Sequence, residues 1–283
     1  MNFEKIKSEE EPEISEEERI VSIDRREIDG KNGELNLEFS VIKSSEKPPE
    51  SLPILIIPGF GESLETQKPF GEILAKEKNE VILVSGLGTG KSGNLPNEWL
   101  RYKNRNLEGE SKVVVKCLDK LKQEPYKKIN IVGFSLGAIM ASAIAKNFPE
   151  KVENLILIHP VGLKKQSYLS LGRKWAKDML DLDPASRLKE RPDLKKMWKL
   201  IKDQLNSFSS AKRLEQRLVK DGLVAAGNEL NKNIGEIKAK ILIIAGSQDD
   251  LFANDELGKL KEKAKSAGDF KVKTLEEKDH FSF

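Results

Sequence analysis

The chain has 283 residues, 38% of them apolar and 34% charged, which is long enough for a large core and too well clustered in its apolar residues for a disordered polymer. Its 49 Lys+Arg against 46 Asp+Glu leave a formal charge of +3, which on total charge excludes a dedicated nucleic-acid binder. A single cysteine, Cys117, excludes an internal disulfide framework and a Cys-rich zinc site, and two histidines, His159 and His280, leave little room for a His-based metal centre.

Residues 1–18 hold eight Glu and two Lys without an apolar run, so they read as a flexible acidic lead and not as a signal peptide. No stretch reaches the ~20 apolar residues of a membrane span, and a soluble, cytoplasmic protein is the expectation. Residues 19–29 alternate as a strand. Asp29-Gly30 with Lys31-Asn32-Gly33 signals a hairpin turn, and residues 34–42 alternate again through Leu35, Leu37, Phe39 and Val41. The pattern then changes to short apolar runs: 54–57 before Pro58-Gly59, 81–84 before a Gly-rich loop, 129–132 (interrupted by Asn130) before Gly133, 155–158 before His159-Pro160, and 241–244 before Ala245-Gly246. Strands apolar on both faces are what a parallel sheet covered by helices requires. Helical spacing over 66–78, 110–123, 136–147 and 255–267 supplies the covering layers, and residues 270–275 read as a last strand.

The fold class is therefore α/β: a mostly parallel sheet with an antiparallel hairpin in front and helices on both faces. The core takes residues 19–160 and 239–283. Residues 161–238 break the rhythm and read as a helical insertion, with Trp175, Met179, Leu180, Met197, Trp198 and Leu205 as its own core or as pocket wall. Residues 161–240 carry 19 Lys+Arg and 10 Asp+Glu, a net +9. Such an excess suits acidic ligands or anionic surfaces, although a solvated helix face is its more ordinary account.

The strongest chemical signal is Gly133-Phe134-Ser135-Leu136-Gly137, which follows an apolar run and opens a helix of small residues. A G-x-S-x-G in that context sets a serine hydroxyl on a sharp strand-to-helix turn, and flanking glycines avoid Cβ collisions across it. Ser135 is the candidate nucleophile. Such a serine needs a base and an acid that orients the base, following in the order Asp or Glu, then His. Asp249, in Gly246-Ser247-Gln248-Asp249 directly after a strand, is the candidate acid, with Asp250 as its rival. His280, after the last strand, is the candidate base. His159, at a strand end, is the competitor and is placed among residues lining the pocket together with Gly59 and Phe134. An oxyanion hole takes one backbone N–H from Leu136, after the nucleophile, and a second from Phe60 in the loop Pro58-Gly59-Phe60-Gly61-Glu62-Ser63.

These motifs, in this order and spacing, resemble the α/β-hydrolase family from residue 19 to the end of the sequence. Ser85-Gly86-Leu87-Gly88-Thr89-Gly90-Lys91-Ser92 is similar to a further loop of the family. The resemblance implies Ser135 as nucleophile, Asp249 as acid, His280 as base, and a cap domain at about residues 161–238. Two positions depart from the family pattern: Pro58 stands where a His is usual and Ser85 where an Asp is usual. The family also commonly carries a helix after the catalytic His, and this sequence runs three residues past His280.

The expected activity is that of a serine hydrolase on a small or medium carboxylic ester, with a lipid ester or thioester as variants. Carbon–carbon hydrolysis or acyl transfer on the same triad, and a non-catalytic binder of the same fold, are the alternatives. The expected partner is a small-molecule acyl ester, with no nucleic acid, no integral membrane segment, no metal and no organic cofactor. Residues 86–92 do not make a phosphate loop, because the Gly expected five residues before Gly90-Lys91-Ser92 is Ser85 and no helix follows.

Overall fold

A computed structural model describes residues 12–46, 51–101, 107–167, 169–174, 202, 206–208, 210–249 and 257–278. Its centre is an eight-stranded sheet of β1 (Ile14–Asp24), β2 (Glu34–Ser44), β3 (Ile54–Ile57), β4 (Glu80–Val84), β5 (Ile129–Phe134), β6 (Val152–Ile158), β7 (Lys240–Gly246) and β8 (Phe270–Leu275). The order across the sheet is β1-β2-β4-β3-β5-β6-β7-β8. β1 and β2 form an antiparallel hairpin and β2 meets β4 antiparallel, whereas the remaining neighbours run parallel.

The continuous apolar runs are explained by two cores, one on each face. Leu55, Ile57, Ile82 and Val84 point to the face covered by α3 (Leu107–Asp119) and α4 (Gly137–Asn147). Ile56, Val81 and Leu83 point to the face covered by α2 (Leu64–Lys76). Successive residues alternate between faces, so a strand covered on both sides has few polar positions to give.

Several boundaries differ from those expected. β1 begins at Ile14, so the end of the acidic lead is an edge strand paired with β2. Lys68 Nζ holds it there, 2.9 Å from Glu16 and 2.7 Å from Glu18, with Lys91 Nζ 2.8 Å from Glu18. The second half of the strand expected at 19–29 is instead a helical turn, α1 (Arg26–Asp29). Arg25 and Asp29 bridge it at 2.7 Å, and Gly30 ends it at φ 75°. Helices α2 and α3 start two and three residues earlier than the spacing indicated, at Leu64 and Leu107.

The segment between β6 and β7 contributes no strand to the sheet among its described residues. It contains α5 (Ala211–Ala226), α6 (Glu229–Asn233) and a 3-10 turn, Ile234–Glu236. Trp175, Met179, Leu180, Met197, Trp198 and Leu205 lie outside the described residues. After β7 comes α7 (Leu257–Lys263), within the helix expected at 255–267. Among the described residues no helix is long and apolar enough to cross a membrane.

Candidate active site

Strand β5 runs into Ser135, whose φ of +47° is left-handed, and α4 starts two residues later at Gly137. A non-glycine residue in that region is strained and is held only by its surroundings. Here the backbone supplies the hold: Ser135 N donates to Ile158 O of β6 at 2.9 Å, and Ser135 O accepts from Ala138 N at 3.2 Å. The glycines on either side are needed for space. A Cβ at Gly133 would lie 2.8 Å from Ala138 Cα, Ala141 Cβ and Gly137 O. One at Gly137 would collide with the carbonyl oxygens of Ile57 and Pro58 at the end of β3. The tight turn thus brings the start of α4 against the β3 loop, and Ser135 and Leu136 both remain partly exposed.

That loop is the one expected to carry Phe60. It is close to the serine: a Cβ on Gly59 would stand 3.4 Å from Ser135 Cβ. Glu62 shapes it, an arrangement not anticipated from the sequence. Its Oε2 accepts from Gly59 N at 2.7 Å and from Gln67 Nε2 at 2.9 Å. The carboxylate reaches back three residues to a backbone N–H and so fixes the loop ahead of α2, whose N-cap is Ser63. Ser207 Oγ donates to Gly61 O at 2.6 Å, and the Phe208 ring lies 6.3 Å from that of Phe60.

Asp249 sits in the turn after β7 with its side chain fully buried, and its Oδ2 is 2.9 Å from His159 Nδ1. His159 is only 2% exposed, directly follows β6 at φ +46°, and donates its backbone N–H to Ile244 O at 2.8 Å. The structure therefore joins the candidate acid to the histidine that the sequence placed as a pocket or strand-end residue. His280 and Asp250 lie outside the described residues. The chain leading to His280 is tied to the acid turn: Ser247 N donates to Leu275 O and Gln248 N to Lys278 O, both at 2.9 Å. Phe134, the last residue of β5, is buried edge-on against Phe70 with ring centroids 5.4 Å apart.

Gly59, Leu136 and Gly137 form one side of a cavity whose walls include Leu37, Val84 and Ile139. Arg217, Lys220 and Asp221 of α5 and Glu110 of α3 line the same cavity. Neither Phe134 nor His159 is in its wall among the described residues. Behind it, Ser85 occupies the position where the resembled loop carries an Asp. A carboxylate reaches this loop from β2 instead: Glu38 Oε2 accepts from Ser85 Oγ and from Lys91 N, each at 2.9 Å. Among the described residues no three His, Cys, Asp or Glu side chains gather as a metal site.

Residues 53–283 match the family described as alpha/beta hydrolase fold. A poly(3-hydroxyalkanoate) depolymerase from Ectopseudomonas oleovorans is 31% identical over 125 residues, 44% of this chain and 41% of that protein, so the match spans less than half the relative's length. Among solved structures, a hydrolase from Pseudomonas aeruginosa PA01 superposes with a TM-score of 0.61 at 19% identity, covering 87% of this chain and 88% of the other. An esterase from Exiguobacterium antarcticum gives 0.63 at 15% identity, covering 87% and 89%. With a strained serine between strand and helix, two close-approach glycines, an acid after a later strand and a family match over residues 53–283, the chain belongs to the alpha/beta hydrolase fold family of enzymes.

Proposed function

We propose that this protein is a serine esterase acting on small or medium carboxylic esters through Ser135, His280 and Asp249. The observation that carries the reading is Ser135 itself, held at φ +47° at the top of β5 beside the Gly59 loop. Strain of this kind is kept where a side chain must be presented, since a relaxed turn would avoid it.

In this reading His280 takes the Ser135 proton as Oγ attacks the ester carbonyl carbon. The developing oxyanion is stabilised by the N–H groups of Phe60 and Leu136, each worth about 10²–10³ in kcat. His280 then protonates the departing alcohol, water enters, and the acyl group leaves Ser135. Support for His280 is the pairing of residue 248 with residue 278, which brings the chain before it alongside Asp249. His159 acts as a positioning residue, donating Nδ1–H to Asp249 Oδ2. The depolymerase relative supports ester cleavage. The segment at 161–238 acts as a cap, and residues of α5 in the cavity wall support that role.

A second reading rests on the bond at 2.9 Å between His159 and Asp249, in which His159 is the base. Fluorophosphonate labelling and a panel of 4-nitrophenyl esters of graded acyl length test both. Wild type is expected to be labelled and Ser135→Ala not. His280→Ala should lose about 10⁴-fold in kcat, with His159→Ala losing far less. The reverse order of losses establishes the second reading. A wild type neither labelled nor active on every ester overturns both, and comparing Asp249→Asn with Asp250→Asn checks the acid.

A further inference from the structure

The cavity beside the Gly59 loop has one charged wall. Glu110 on α3 faces Arg217, Lys220 and Asp221 on α5. Arg217 Nη1 donates to Glu110 Oε1 at 3.0 Å, Arg217 Nε stands 2.8 Å from Asp221 Oδ2, and Lys220 Nζ pairs with Glu110 Oε2 and lies 3.9 Å from Asp221 Oδ1. Side-chain exposure is 12% for Arg217 and 4% or less for the other three. Four charges this deep are costly, and a buried ion network is commonly no more stabilising than apolar residues of the same volume. The other walls, Leu37, Val84, Leu107, Val113 and Ile139, show that apolar filling was available.

The network is also incomplete. A guanidinium has five N–H donors. Only Nη1 makes a hydrogen bond, to Glu110; Nε stands beside Asp221 Oδ2 without one, and Nη2, with no hydrogen bond among the described residues, lies 3.6 Å from where a Gly86 Cβ would be. Burial pushes the Asp221 carboxyl upward despite Arg217 and Lys220. Burial acts on Glu110 in the same sense, but the charges of Lys220 and Arg217 outweigh it and hold Glu110 below its ordinary value.

We propose that this wall binds a carboxylate of the substrate, with Arg217 as the specificity-determining residue, so that the preferred esters are monoesters of short dicarboxylic acids. The proposal rests on the esterase reading for its chemistry but not for its binding. A carboxylate entering past Leu136 accepts the free Nη2 hydrogens. A plain alkyl chain cannot, and leaves the donors desolvated.

The test is calorimetric titration of the full chain with succinate, glutarate and adipate, each against its neutral diamide, and 4-nitrophenyl hydrolysis of monoglutarate against pentanoate. At least one dicarboxylate should bind about tenfold or more tighter than its diamide, and Arg217→Gln should remove that preference. In hydrolysis, Arg217→Gln should raise KM for the monoglutarate about tenfold while sparing the pentanoate. Equal binding of dicarboxylate and diamide by wild type overturns the proposal even if Arg217→Gln fails to fold, as does a folded Arg217→Gln that keeps the preference. If wild type hydrolyses neither ester the esterase reading falls, and the dicarboxylate titration still decides the wall.

Discussion

Replacing Gly133 with alanine adds one methyl group at the base of the nucleophile turn. Its ideal position is 2.8 Å from Ala138 Cα, from Ala141 Cβ and from Gly137 O. Carbon contacts settle at about 3.5–4.0 Å, so β5 and α4 must separate by roughly 0.7 Å or more. None of the three atoms is the tip of a flexible side chain that could swing aside. Overpacking of a close-packed interior costs about 1–3 kcal/mol, and three simultaneous contacts place this substitution near 3 kcal/mol. The same displacement carries Ser135 away from the Gly59 loop, and misplacement near 1 Å costs about 10²-fold in kcat/KM. Urea unfolding followed by circular dichroism measures the first effect, and hydrolysis of the best ester measures the second. A Gly133→Ala protein within about 0.5 kcal/mol of wild type and of unchanged kcat/KM refutes the reasoning. Gly137→Ala should be harsher still, because its methyl group meets two backbone carbonyls of the β3 loop.

Ser135→Gly should be more stable than Ser135→Ala by about 1 kcal/mol, because glycine adopts φ +47° without strain; equal urea midpoints for the two variants contradict this. Acid should weaken the hairpin edge. Hydrogen bonds from Lys68 and Lys91 hold the Glu18 carboxyl at about 2. A lowered folded-state value stabilises above the ordinary carboxylate range, and that contribution is lost as pH falls from about 4.5 toward 2. Glu18→Gln should therefore flatten the loss of stability over that window, and an unchanged acid limb counts against the pairing. Burial pushes the Cys117 thiol up to about 12, so Ellman's reagent at pH 8 should react only on unfolding; stoichiometric labelling of the native protein within minutes overturns its burial.

What was legible along the chain is what depends on neighbours in sequence. Four-residue apolar runs, followed within two residues by glycine or proline, marked β3 to β7, because a strand buried on both faces must be apolar at nearly every position. Gly133 and Gly137 marked the turn, because the crowding there is set by atoms a few residues away and by the strand beside it. Helix ends were less legible, since α2 and α3 begin where tertiary contacts favour it and propensity alone leaves the first turn open. The edge strand through Glu16 and Glu18 looked like a solvated lead because its partners, Lys68 and Lys91, lie far along the chain.

The remaining arrangements are long-range. Periodicity says which face a residue takes but not which element will lie opposite. Hence the fold alone placed β4 between β2 and β3, supplied the Glu38 carboxylate to the Ser85 loop, and set His159 on Asp249 across 90 residues. The same holds for Glu110 and Lys220, separated by 110 residues. In the sequence they were only two charges among many, and became a buried ionic wall when α5 packed against α3. The apolar runs and the motif spacing determined that this chain builds a serine-bearing turn on a parallel sheet. Only the tertiary structure decided what that serine faces, because burial converts ordinary surface charges into a site only when distant segments exclude water from them together.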